Sequence, residues 1–186
     1  IIFIVDASGS MGARRRLEAA RGAALTLLTE AYQRRDRVAL IAFRGTEAET
    51  LLPPTDSVEL VQRRLAEIPT GGRTPLAAGL RAGLELIRQV RLKDPRAICV
   101  PVLLTDGKAN AGGDGVSPVE AALEAALRYQ QPGVHPLVLD TENGAISLGF
   151  AGRIAERAGA RYVRLADLSA ESVAASVHGV AAAATG

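Results

Sequence analysis

Apolar residues come along this chain in two rhythms. Short unbroken runs, such as Ile1 to Val5, "VALIAF" and "CVPVLL", are what strands look like when both faces of their sheet are covered. Between them lie longer stretches in which apolar residues recur at helical spacing. This reading predicts strands near 1–5, 37–43, 48–52, 97–105, 134–140 and 160–164, with helices over about 14–33, 57–67, 76–91, 118–130, 147–158 and 169–183. Strands alternating with helices imply an α/β fold, a doubly wound and mostly parallel six-stranded sheet with helices on both faces. Only "RGTE" separates the second run from the third. That is too short for a parallel crossover, so the third strand should be antiparallel and at the sheet edge. The other connections can hold right-handed crossovers. A ligand site is then expected beyond the carboxyl ends of the first and fourth strands, where the strand order reverses.

The bulk numbers narrow the class. At 186 residues the chain suits one well-buried domain, 1–186. Its mean hydropathy of +0.14 fits a globular core, and no apolar run approaches the roughly 20 residues of a membrane span. Because it opens on a strand with no leader pattern, it reads as a fragment of a longer protein. A net charge of +2 and 3% aromatic residues argue against a nucleic-acid surface. Cys99 is the single cysteine, which excludes internal disulfides and cysteine metal clusters. Inside "AICVPVLL" it reads as a buried, inert thiol. A reducing, cytoplasmic setting is the expectation.

Polar residues at the ends of two apolar runs carry the candidate chemistry. "IIFIVDASGSMG" places Asp6, Ser8 and Ser10 at alternate positions after the first strand, and Gly9 and Gly12 let the backbone curl so that their side chains face one point. "LLTDGKAN" places Asp106 at the end of the fourth strand. In "PTGGRTPL", Thr74 suits a helix cap and Pro75 a first helical position, leaving the Thr74 hydroxyl at a helix mouth. Two carboxylates and three hydroxyls from three loops make a hard, oxygen-only site. Mg²⁺ matches it best, with Mn²⁺ or Ca²⁺ tolerated. Softer metals favour His or Cys, and neither His135 nor His178 lies in these loops; both read as structural or solvated.

These motifs, in order, resemble the metal-ion-dependent adhesion site of von Willebrand factor A, or integrin I, domains: "DASGS", then Thr74 in "GGRTP", then Asp106 in "LTDG". The resemblance implies that Ser8 and Ser10 bind the ion directly. It implies that Thr74 binds directly or through water according to state, and that Asp6 and Asp106 act directly or through water. "AARGAALTLLTEAYQRRDRVALIAFRG", "LLPPTDS", "IPTGGRTPLAAGL", "LLTDGKAN" and "LVLDTEN" are further similar to the carboxyl-terminal domain of magnesium chelatase D subunits. Ile68 and Lys108 stand where Leu and Arg are expected. That similarity implies an AAA-type ATPase subunit and a large porphyrin-binding subunit as partners in inserting Mg²⁺ into protoporphyrin IX. The alternative is an adaptor of a MoxR-type ATPase or a cobalt-chelatase subunit.

Other readings fare worse. Aspartyl phosphotransfer needs a general acid where Ser8 stands, no G-x-S-x-G elbow occurs, and Gly107-Lys108 lacks the rest of a P-loop. The stretch Gly112 to Gly115 reads as a turn. The arginine clusters at 14–16, 34–37 and 63–64 have the composition of solvated helix faces. Arg14, Arg15 and Arg16 also lie near the expected ion, where a cationic rim would steer an acidic partner. Asp140, ending the fifth strand, is read as structural, with loop orientation or partner contact as the other possibility.

Overall fold

In the computed structural model, residues 1–9, 22, 25, 36–112, 115–142 and 149–164 are described. Strand β1 (Ile2–Asp6) pairs in parallel with β2 (Val38–Arg44) on one side and β4 (Pro101–Thr105) on the other. β3 (Glu47–Thr55) returns antiparallel along β2, while β5 (Leu137–Asp140) and β6 (Arg161–Arg164) extend the far side in parallel. The order β3-β2-β1-β4-β5-β6 is the doubly wound arrangement expected, with its reversal between β1 and β4.

The strand limits differ from those read in the sequence where proline intervenes. β3 runs through Pro53 and Pro54, which an edge strand tolerates because one side of its backbone needs no donors. β4 begins only at Pro101 and β5 only after Pro136. A proline gives no N–H to the ladder, yet the lead-in residues still pair, through the Cys99–Val134 bridge.

Four helices are described: α1 (Val58–Glu67), α2 (Leu76–Lys93), α3 (Pro118–Leu127) and α4 (Phe150–Ala158). The Ser57 hydroxyl caps α1 by accepting from the Leu60 N–H, Pro118 opens α3, and Gly149 and Gly159 bracket α4 in left-handed conformations. The expected helices over 14–33 and 169–183 fall on residues outside the described set, save Gly22 and Leu25, which are helical.

Alternation along each strand sends side chains to opposite faces. Phe3, Val5, Leu40 and Leu104 pack toward α1 with Val61 and Leu65. Ile4, Ile41, Phe43 and Leu103 pack toward α2, α3 and α4. Each fully buried aliphatic or Phe side chain contributes about 1.5–3 kcal/mol. Two glycines set how closely α2 approaches the sheet. Gly79 lies under the Phe43 ring, and a Cβ on Gly83 would come within 2.5 Å of Ile4 Cδ1. The buried Tyr129 hydroxyl donates to the Leu80 carbonyl at 2.7 Å, tying the end of α3 to α2. Cys99 is buried and free, as expected.

Candidate metal centre

The carboxyl ends of β1 and β4 open onto one crevice, and three loops meet there. After β1 the chain stays tethered: the Ala7 N–H donates to the Phe43 carbonyl at 3.1 Å, while Gly71 N–H reaches the Ala7 carbonyl and Gly9 N–H the Gly72 carbonyl. Residues 7–9 are thereby sewn to residues 71 and 72. The approach is close enough that a Cβ on Gly9 would sit 2.7 Å from Gly71 Cα, so the glycines serve as spacing here.

The side chains form a continuous chain of hydrogen bonds. The Thr105 hydroxyl donates to Asp6 Oδ2 at 3.1 Å and the Ser8 N–H donates to Asp6 Oδ1 at 3.0 Å. The Thr74 hydroxyl donates to the Ser8 hydroxyl at 2.8 Å. Asp106 follows Thr105 directly; its Oδ1 accepts the Lys108 N–H at 3.1 Å and its Oδ2 lies 3.3 Å from the Lys108 ammonium. Asp106 and Thr74 are both buried.

Electrostatics mark the place as short of positive charge. Burial pushes the Asp6 carboxyl above its ordinary range, and the charge of Asp106 pushes the same way, while hydrogen bonds from Ser8 and Thr105 oppose them. Two like charges in a crevice with hydroxyls around them suit a hard divalent cation. The donor set therefore fits such an ion. Among the described residues no group of three His, Cys, Asp or Glu gathers.

Of the residues expected from sequence, Asp6, Ser8 and Thr74 are joined by hydrogen bonds, and Asp106 lies near enough to act on Asp6 electrostatically. Ser10, Arg14, Arg15 and Arg16 lie outside the described residues, as does His178. His135 precedes β5, at the opposite end of the sheet, where its N–H donates to the Cys99 carbonyl. One local expectation is corrected. Thr74 does not cap α2: Pro75 holds the cap position without a side-chain bond, because the Thr74 hydroxyl is turned to Ser8 instead.

Three contributors were missed in the sequence. Thr105 grips Asp6, and its hydroxyl also accepts the Gly107 N–H. Asn110 accepts the Thr74 N–H on its Oδ1 at 2.7 Å, while Asn110 and Ala111 donate backbone N–H groups to the Thr74 carbonyl. Lys108 neutralises part of Asp106. All three sit within "LLTDGKAN", where residue type alone does not show which loop each one reaches. Asp140 is buried and accepts the Glu142 N–H at 2.7 Å and the Tyr162 hydroxyl at 2.5 Å.

Residues 1–108 match the family model of the von Willebrand factor type A domain. The chain belongs to that family. This von Willebrand A domain is 46% identical over 181 residues to an uncharacterized protein of Mycobacterium tuberculosis, an alignment covering 97% of the chain and 28% of that protein. It is 42% identical over 183 residues to the magnesium-chelatase 67 kDa subunit of Chlorobaculum parvum, covering 92% of the chain and 29% of that subunit. The domain thus spans less than a third of the length of either relative. Among solved structures it superposes with TM-score 0.67 on the manganese-loaded TRAP protein of Plasmodium vivax, at 19% identity, covering 89% of the chain and 68% of that one. Von Willebrand A domains commonly bind a divalent metal. No helix among the described residues is long and apolar enough to cross a membrane.

Proposed function

We propose that Asp6, Ser8, Thr74 and Asp106, together with Ser10, hold a divalent cation, Mg²⁺ in the first place with Mn²⁺ or Ca²⁺ able to replace it. Bound there, the ion would act as a Lewis acid with room for one outside oxygen, so that a carboxylate from a partner protein completes its coordination. In a partly dehydrated crevice such a bond is worth several kcal/mol, against about 0–1 kcal/mol for an exposed salt bridge. The chain's own residues supply the frame: Thr105 orients Asp6, and Asn110 holds Thr74 in place. Arg14, Arg15 and Arg16 would steer an acidic partner toward the crevice. The observation that carries this reading is the run of hydrogen bonds from Thr105 through Asp6 and Ser8 to Thr74 beside a second buried carboxylate.

Relatives named magnesium-chelatase subunits support a set of partners from a chelatase complex. On that reading this is the interaction domain of a chelatase D subunit, cytoplasmic, and it couples an AAA-type ATPase subunit to the large porphyrin-binding subunit. The complex would insert Mg²⁺ into protoporphyrin IX for chlorophyll or bacteriochlorophyll synthesis. That Mg²⁺ is cargo, separate from the ion resident in the crevice. The second reading is an adaptor of a MoxR-type ATPase or a cobalt-chelatase subunit. It stands beside the first because the M. tuberculosis relative, 46% identical, is uncharacterized, while a relative named magnesium-chelatase 60 kDa subunit is equally 46% identical over a shorter stretch of 147 residues.

Affinity capture from extract of the source organism, with Mg²⁺ and with EDTA, tests the proposal. An ATPase subunit retained with Mg²⁺ and released by EDTA or by Asp6→Ala is expected, and its identity separates the two readings. Retention indifferent to chelator and to Asp6→Ala contradicts both.

A further inference from the structure

Away from the crevice, helix α2 carries a second feature. Between α2 and the end of α3 runs a groove of about 570 Å³ lined by Arg81, Leu84, Arg88, Arg91, Leu92 and Arg128, among others. Four guanidiniums thus face a lining whose single carboxylate is Glu85, and Glu85 is already engaged. Its two oxygens accept from Arg88 at 2.7 and 2.8 Å, and that pairing, with Gln89, holds the exposed Glu85 carboxyl down at about 2. Arg128 pairs with Glu124 beside the groove. Arg81 has no ion pair among the described residues. Arg91 gives one Nη2 hydrogen bond to the Pro132 carbonyl at 2.6 Å, while its Nε, buried, finds no acceptor.

An apolar residue near the end of α2 also lines this groove. Leu92 is 71% exposed, the most exposed large hydrophobic residue described. An exposed leucine costs little by itself. One that lines a groove together with Leu84, Ile87 and four arginines has the composition of a docking surface, where Arg and apolar anchors are enriched.

We propose that the groove between α2 and α3 docks an acidic, amphipathic segment of a partner protein. Carboxylates on the segment meet Arg81 and Arg91, and apolar side chains pack on Leu92 and Leu84. From Arg81 to Leu92 the helix runs about 17 Å at ~1.5 Å per residue, the length of roughly three turns of a partner helix laid in the groove. Guanidinium and carboxylate match as forked, two-bond pairs, and the apolar lining distinguishes this surface from a purely charged one. Nucleic acid is disfavoured by a net charge of only +2 and by 3% aromatic residues. The inference is independent of the cation proposal, because no residue of the groove belongs to the crevice.

Fluorescence anisotropy with a fluorescein-labelled peptide, built with Glu along one helical stripe and Leu beside it, tests this on the full chain. Saturable binding is expected, weakened about tenfold or more by Arg81→Gln combined with Arg91→Gln. Leu92→Ser should weaken it several-fold with an unchanged melting temperature, and EDTA should have no effect, which separates the groove from the crevice. No binding, equal binding by the variants, equal binding of a peptide with Lys in place of Glu, or loss of binding on EDTA would each overturn the proposal. So would displacement of the peptide by duplex DNA or by phosphatidylserine vesicles more readily than by unlabelled peptide.

Discussion

The Thr74 hydroxyl donates to the Ser8 hydroxyl across 2.8 Å, joining residues 66 positions apart in the chain. Thr74 is held from its other side as well, its N–H donating to Asn110 Oδ1 at 2.7 Å. Three loops are locked together through this one residue, which lies directly ahead of α2. A movement of Thr74 toward or away from the crevice is therefore a movement of the lead into that helix, and packed helices can pass such a shift on.

Asn110→Ala takes away the acceptor of the Thr74 N–H. A loss of about 1 kcal/mol in stability is expected, with several-fold weaker divalent-ion binding because Thr74 is no longer held in place. Chemical denaturation and Mn²⁺ titration calorimetry read the two effects. Unaltered Mn²⁺ affinity would show that Asn110 positions nothing.

Lys108→Gln should act in the opposite direction. The ammonium 3.3 Å from Asp106 competes with any cation for that carboxylate, so removing it should raise divalent-ion affinity a few-fold at low ionic strength. The gain should shrink as salt screens the crevice. Weaker ion binding in the variant would mean that the lysine assists the site.

Tyr162 gives a pH signature. Burial first, and then the hydrogen bond to Asp140, push its phenol from 10.0 up to about 12. A raised folded value favours the neutral form, so its contribution is fully present below pH 10 and is lost as pH rises toward 12. Tyr162→Phe should cost about 1 kcal/mol at neutral pH, and the gap between variant and parent should close across that alkaline window. A gap that stays constant to pH 12 would contradict the assignment.

Gly83→Ala tests the packing of α2. The added carbon would meet Ile4 Cδ1 at 2.5 Å and crowd the Tyr129 hydroxyl, which holds the bond to Leu80. Overpacking of this kind costs about 1–3 kcal/mol, larger than the gain in helix propensity of about 1 kcal/mol. A variant more stable than the parent would show that the helix can move outward freely.

Much of the fold was legible because strand burial leaves an unambiguous mark: "IFIV" and "VLL" can only be covered on both sides, and "RGTE" can only be a hairpin. The limits of β3, β4 and β5 were not legible, since proline acts on the hydrogen-bond ladder and leaves hydrophobic periodicity untouched. In the crevice, Asp6, Ser8 and Asp106 could be read from residue type and strand end, and Thr74 from its place ahead of a helix. The Thr105 and Asn110 supports could not, because their importance comes from contacts between loops far apart in sequence. The role given to Thr74 as a helix cap went wrong for the same reason: local propensity favours a cap, and a distant serine claims the hydroxyl.

Electron paramagnetic resonance of Mn²⁺, titrated with the full chain and with Asp6→Asn, addresses the central claim most directly. A single saturable site that quenches the free-ion signal, is displaced by Mg²⁺ and disappears in Asp6→Asn, with the variant still folded, is the predicted result. A Mn²⁺ signal untouched by the parent chain, or equally diminished by Asp6→Asn, would contradict it.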